Sequence, residues 1–186
     1  MYQLIPHPSA SHPDIDIRVD ISRTVEGGFV LRYVTDGDIA RVKIPAPDGY
    51  AVRRDDLWKT TCFEAFILCD RGDLADKGYL EFNFVPSTAW AAYRFKSYRQ
   101  GCDTLALPPP IFDVDRDGER FTVTISLDMS DVSDLPANQS WFAGLSAVIE
   151  AKDGTKSYWA LAHAPGPPDF HNRDCFTASL AAPDPI

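Results

Sequence analysis

The chain has 186 residues, 45% of them apolar and 12% aromatic, with 27 acidic against 18 basic side chains and a formal charge of −9. That length suits one domain over 1–186 with a sizeable core, and the composition excludes a disordered segment. The charge argues against nucleic acid or an anionic membrane as partner, and no run is apolar enough to span a bilayer as a helix.

From the N-terminus, Met1–Pro8 lacks a basic segment followed by an apolar stretch, so no signal peptide is expected. The four cysteines (Cys62, Cys69, Cys102, Cys175) show no CxxC pair and no disulfide-scaffold spacing. A cytoplasmic protein with reduced thiols is the expectation. Pro6 to Pro13 reads as a proline-punctuated lead-in. Ile15–Ile21 alternates as a half-buried strand, Gly27-Gly28 turns into a second at Phe29–Val34, and Ile39–Ile44 is a candidate third.

Pro45–Asp56 is a polar loop that delivers the chain to Trp58 and a strand through Leu68, with Phe63, Ala65 and Ile67 on one face and Cys62, Glu64 and Phe66 on the other. Asp70–Gly78 connects to Tyr79–Val85, where Leu80, Phe82 and Phe84 face inward and Tyr79, Glu81 and Asn83 outward. A strand from about Trp90 to Tyr98 groups Ala91, Tyr93 and Phe95 against Trp90, Ala92 and Arg94. Asp115-Arg116-Asp117-Gly118 is the strongest hairpin signal, since Asp-Gly suits a type I′ turn. Leu127–Leu135 has room for one helical turn. Trp141–Ile149 and Tyr158–His163 are further strands, and Cys175–Leu180 is the last.

About nine to eleven short strands, with 15 prolines and 11 glycines between them, predict an all-β antiparallel sandwich with little helix. Phe63, Ile67, Leu80, Phe82, Phe84, Tyr93, Phe95, Phe121, Val123 and Ile125 are expected between the sheets. Glu64, Glu81, Asn83 and Arg94 are then expected together on the opposite face of one sheet.

Leu57-Trp58-Lys59 leading to Cys62-Phe63-Glu64-Ala65-Phe66, Tyr79–Phe84 followed by Pro86-Ser87, Trp90–Tyr93, Tyr98-Arg99-Gln100-Gly101, and Tyr158–His163 with Pro168–His171 resemble the DOMON-like superfamily. The branch is the one similar to family 9 carbohydrate-binding modules. The resemblance covers about Asp16 to Leu180 and implies a jelly-roll-type sandwich that binds a sugar on a sheet face without catalysis. It implies aromatic stacking by Trp58 and by Trp159, or else Trp90, with polar contacts from Glu64, Glu81 and Asn83. Arg94 and His163 complete the candidate ligand-binding set, and no catalytic or metal-binding residue is assigned. The ligand expected is a small molecule, above all a saccharide.

Other readings stay open. Two carboxylates such as Glu64 and Glu81 also suit a glycosidase, which needs them about 5–10 Å apart, or they pair with Arg94 or Lys96. His163, Asp169, His171 and Asp174 crowd one loop and could hold zinc or iron for a hydrolase, although no metal-binding spacing is present. Asp113–Gly118 opens like a calcium loop, but Thr124 stands where its glutamate belongs. Family resemblance still allows structural calcium at another acidic loop, with Asp36, Asp38, Asp55 and Asp56 as candidates. Haem, carried by some DOMON domains through methionine and histidine, has only Met1 and Met129 to draw on. No cofactor is expected. A protein-interaction sandwich without a small ligand is the remaining alternative.

Overall fold

The computed structural model describes residues 1–25, 27–69 and 78–183, so the link expected from Asp70 onward lies outside the described residues up to 77. The fold is nearly all β. Five strands form one half: β1 (Tyr2–Pro6), β2 (Ile15–Arg23), β3 (Phe29–Gly37), β9 (Ile111–Asp117) and β10 (Arg120–Leu127). The other half holds β4 (Val52–Arg53), β5 (Cys62–Leu68), β6 (Tyr79–Phe84), β7 (Ala89–Phe95) and β8 (Asp103–Thr104). With them run β11 (Trp141–Glu150), β12 (Lys156–Ala160) and β13 (Ala178–Leu180).

One hydrogen-bonded path runs β4-β7-β6-β5-β11-β12-β1-β2-β3-β10-β9, with β13 on β11 and β8 on β7. Every pairing is antiparallel except β4 with β7. β1 joins the halves: Tyr2, Gln3 and Leu4 pair with β2, while Ile5 and Pro6 pair with β12. The sheet thus curls until its halves face each other across one core. Phe29 meets Phe82 edge-on at 5.2 Å and Tyr33 lies 4.7 Å from Phe63, both contacts crossing between the halves. The Tyr33 hydroxyl also crosses, donating to the Glu64 backbone carbonyl at 2.7 Å.

Phe63, Ile67, Leu80, Phe82, Phe84, Phe121, Val123 and Ile125 are buried in this core. Tyr93 and Phe95 are not part of it. Glu81 pairs with Tyr93, and Leu80, Phe82 and Phe84 pair with Arg94, Ala92 and Trp90, so β7 sits with the reverse orientation to that expected. Paired residues share a face, which puts Tyr93 and Phe95 outside and Trp90 and Arg94 on the core side.

Other departures are local. Ile39–Arg41 is a 3-10 turn, not a strand. Trp58 lies in another 3-10 turn, Leu57–Lys59, and the strand after it begins at Cys62. The 127–135 segment holds turns but no helix, and β13 begins at Ala178 because Arg173–Cys175 is a 3-10 turn. The hairpin is shifted by one residue: Asp117 pairs with Arg120, leaving Gly118-Glu119 central. Only Gly118 of that pair has positive φ (56°), the pattern of a II′ rather than a I′ turn.

Candidate functional site

Alternation makes the outer face of β5 and β6 unusual. Most outward side chains on a solvated sheet are exposed, yet Glu64, Phe66, Tyr79, Glu81 and Asn83 are all buried. They are buried because three segments cover that face. Segment 55–59 lies over one side. The turn after β7 folds back through the Lys96 amide donating to the Gln100 carbonyl at 3.0 Å. The chain after β12 docks through Cys175 and Phe176, which pack on Phe66, Leu68, Tyr79 and Phe95.

The space left between them is a cavity of about 660 Å³, within the range of small-ligand sites. Glu64, Glu81 and Asn83 form its floor, with Phe66, Val148 and Tyr158 beside them. Tyr93, Phe95, Arg99 and Cys102 line it from β7 and the chain after it, and Pro168, Phe170 and His171 from the segment after β12, the two meeting where His171 lies 5.2 Å from Phe95. Asp55, Asp56 and Trp58 stand at the mouth, where Trp58 is 51% exposed. Asp56 and Arg99, both in the lining, hold positive φ (61° and 54°), a strained backbone for residues other than glycine.

Glu64 and Asn83 are direct cross-strand partners and Glu81 is the next outward residue on β6, which places the three within reach of one small ligand group. Asn83 donates from Nδ2 to Glu81 Oε1 at 2.7 Å. Glu64 Oε1 and Asn83 Oδ1 are buried without a hydrogen-bond partner, as is Oγ of Ser146, the β11 residue opposite Glu64. Burial pushes the Glu64 carboxyl far above the ordinary carboxylate range, with the Glu81 charge adding to it. Burial raises Glu81 to about 7 against the bonds from Asn83 and the Arg99 charge.

Several donors around this floor are committed. Tyr79 accepts the Arg99 backbone N–H at 3.2 Å and shares a 2.7 Å hydrogen bond with His171 Nδ1. With the tyrosine as donor, the imidazole carries its proton on Nε2, 3.8 Å from Glu81 Oε2. Burial lowers His171 to about 4, so the ring is neutral and this approach is not an ion pair. Arg99 and Tyr98 both donate to Asp169, at 2.8 and 2.6 Å. The Tyr93 hydroxyl donates to Asp55 at 2.7 Å.

Of the expected ligand-binding residues, Trp58, Glu64, Glu81 and Asn83 line this cavity. Arg94, Trp90, Trp159 and His163 do not. Arg94 lies on the core side of β7 and reaches the rim to bind both carboxylate oxygens of Asp134, at 2.8 and 2.6 Å. Trp90 is buried in the core beneath the Arg53 guanidinium. Trp159 pairs with Ala147, itself opposite Phe63, which fixes it inside; its indole donates to Ser157 at 3.0 Å. The neighbouring Tyr158 takes the outward position instead. His163 lies beyond β12 and bonds the Ile5 carbonyl at 2.9 Å.

The metal readings lose their groupings. Asp169 is paired with Arg99, His163 is at Ile5 and His171 at Tyr79. Asp36 is paired with Arg18 and Arg120. Among the described residues no three His, Cys, Asp or Glu side chains are grouped as a metal ion requires. Met129 is buried in the core. No disulfide joins the four cysteines, and Cys62 lies on the Glu64 face of β5, packed with Leu57 and Val85, its thiol pushed up by burial.

No family model matches the chain, and no curated protein matches it. Among solved structures, a protein of Bacteroides uniformis ATCC 8492 for which carbohydrate binding is proposed matches with TM-score 0.61, over 96% of this chain and 85% of that one, at 13% identity. A likeness at that identity is one of fold.

Proposed function

We propose that this chain is a non-catalytic binding domain for a carbohydrate or sugar-containing small molecule, held in the cavity over Glu64, Glu81 and Asn83. One observation carries the reading: two carboxyls and an amide with unfilled oxygens sit at the bottom of a cavity walled by aromatic rings. Sugar rings present apolar faces to stack on such walls and hydroxyls to fill such oxygens. The resemblance to DOMON-like domains and family 9 carbohydrate-binding modules supports it, as does the proposed carbohydrate binding of the Bacteroides structural neighbour.

Trp58 is exposed at the mouth while Trp90, Trp141 and Trp159 are buried, so a ligand-induced change in tryptophan fluorescence reports Trp58. A saccharide panel is expected to change that emission and give heat by calorimetry. Trp58→Ala is expected to abolish the optical response in a protein that still folds. No heat from any saccharide at millimolar concentration contradicts the proposal.

A glycosidase is favoured by one feature, the Glu81 carboxyl at about 7, which suits a general acid. It also needs an ionised second carboxylate, and burial drives Glu64 the other way. Turnover of nitrophenyl glycosides that is lost in Glu81→Gln would establish catalysis over binding.

A further inference from the structure

The hydrogen-bonding capacity left in the cavity is unequal. On the floor, Asn83 Nδ2 is taken by Glu81, while Glu64 Oε1 and Asn83 Oδ1 have no partner. In the walls, the Arg99 guanidinium is held by Asp169 and the Tyr93 hydroxyl by Asp55. On the floor itself the unfilled atoms of Glu64 and Asn83 are acceptor oxygens. A neutral hydroxyl brings one donor and two lone pairs, for which the lining offers His171 Nε2–H as the donor nearest the floor. An ammonium brings three donors and no acceptor.

Charge points the same way. Asp55, Asp56, Glu64 and Glu81 line the cavity against one lining arginine, Arg99, whose partner is Asp169. Asp56 is also paired, with Lys59 at 2.7 Å, which leaves the two floor carboxyls and Asp55 as the unneutralised acids. Glu64 is only 3% exposed, and burying such a group without a counter-ion is costly. The aromatic walls (Phe66, Tyr93, Phe95, Tyr158, Phe170) and Trp58 at the mouth offer ring faces that attract cations. A net charge of −9 draws cations toward the molecule as a whole.

We infer that the ligand is an aminated saccharide, its protonated amine seated on Glu81, Glu64 Oε1 and Asn83 Oδ1 and its ring against the aromatic walls. This rests on the saccharide reading above and narrows it. Burial drives both floor carboxyls toward their neutral forms, against the Arg99 charge at Glu81; a bound ammonium supplies a counter-ion on the floor itself.

The test uses the whole chain and three sugars matched in ring structure: glucosamine, glucose and N-acetylglucosamine, titrated by calorimetry near neutrality. Glucosamine is expected to bind at least about tenfold more tightly than either, the difference between a charge-assisted and a neutral hydrogen-bond set. Glu81→Gln is expected to erase that preference, bringing glucosamine to the affinity of glucose or below it, whatever the variant does to both. The wild-type comparison stands even if the variant fails to fold. Glucose or N-acetylglucosamine binding as tightly as glucosamine overturns the amine assignment and leaves the saccharide reading intact. A simple alkylammonium that binds when no sugar does, or no binding at all, overturns both.

Discussion

Glu81 and His171 approach to 3.8 Å, yet burial keeps them neutral together over a wide range. Glu81 titrates in the folded chain at about 7, above its ordinary 4.5, so folding is favoured while it is protonated. That contribution is complete below 4.5 and lost as pH rises through about 7. His171 titrates at about 4, below its ordinary 6.5, so its contribution is complete above 6.5 and lost as pH falls toward 4. Each shift corresponds to about 3 kcal/mol. Between 4.5 and 6.5 the two slopes oppose and nearly cancel. Urea unfolding across this range is expected to give Glu81→Gln a stability that rises with pH, and His171→Asn one that falls. Variant profiles parallel to the wild type would show that these side chains are not buried as described.

At the scale of the element, Gly144 on β11 faces outward opposite Phe66, and the segment after β12 closes down upon it. A Cβ there would lie 2.8 Å from Phe176 Cδ1 and 3.4 Å from the Cys175 carbonyl oxygen. Gly144→Ala is therefore expected to cost about 1–3 kcal/mol. It should also weaken ligand binding, because the segment it lifts carries Phe170 and His171. Thermal unfolding and titration of one variant check both effects; unchanged stability would mean that Phe176 does not dock there.

The element scale also shows what the sequence could say. β5 and β6 were legible because core and outer faces differ in kind: Phe63, Ala65 and Ile67 against Glu64, and Leu80, Phe82 and Phe84 against Glu81 and Asn83. β7 was not legible. It carries Trp90 on one face and Tyr93 with Phe95 on the other, so alternation cannot tell inside from outside, and pairing with β6 decides it. Arg94 could sit on the core side because it lies near the strand end, where its long stem reaches Asp134 at the rim. Trp159 misled for a similar reason, since Tyr158 beside it is also aromatic. Arg99 and His171 reach the cavity from loops, which no periodicity describes. β1 went unread because its joining role depends on β12, a partner near the other end of the chain.

For the whole molecule, the core holds without covalent staples. No disulfide joins the four cysteines, so reductant is expected to leave the melting temperature unchanged. Phe82→Ala, at the contact between the halves, is expected to cost about 3–5 kcal/mol. A drop in stability on reduction would reveal a cross-link that this arrangement does not contain. The covered outer face of β5 and β6, and no other surface, is expected to receive the ligand. Amide-detected NMR during a saccharide titration tests it most directly. The account predicts shifts concentrated at the Trp58 indole N–H, the Asn83 side-chain amide and the backbone of Glu64, Glu81, Tyr158 and His171. Shifts clustered on β2, β3, β9 and β10, or none at saturating sugar, would contradict it.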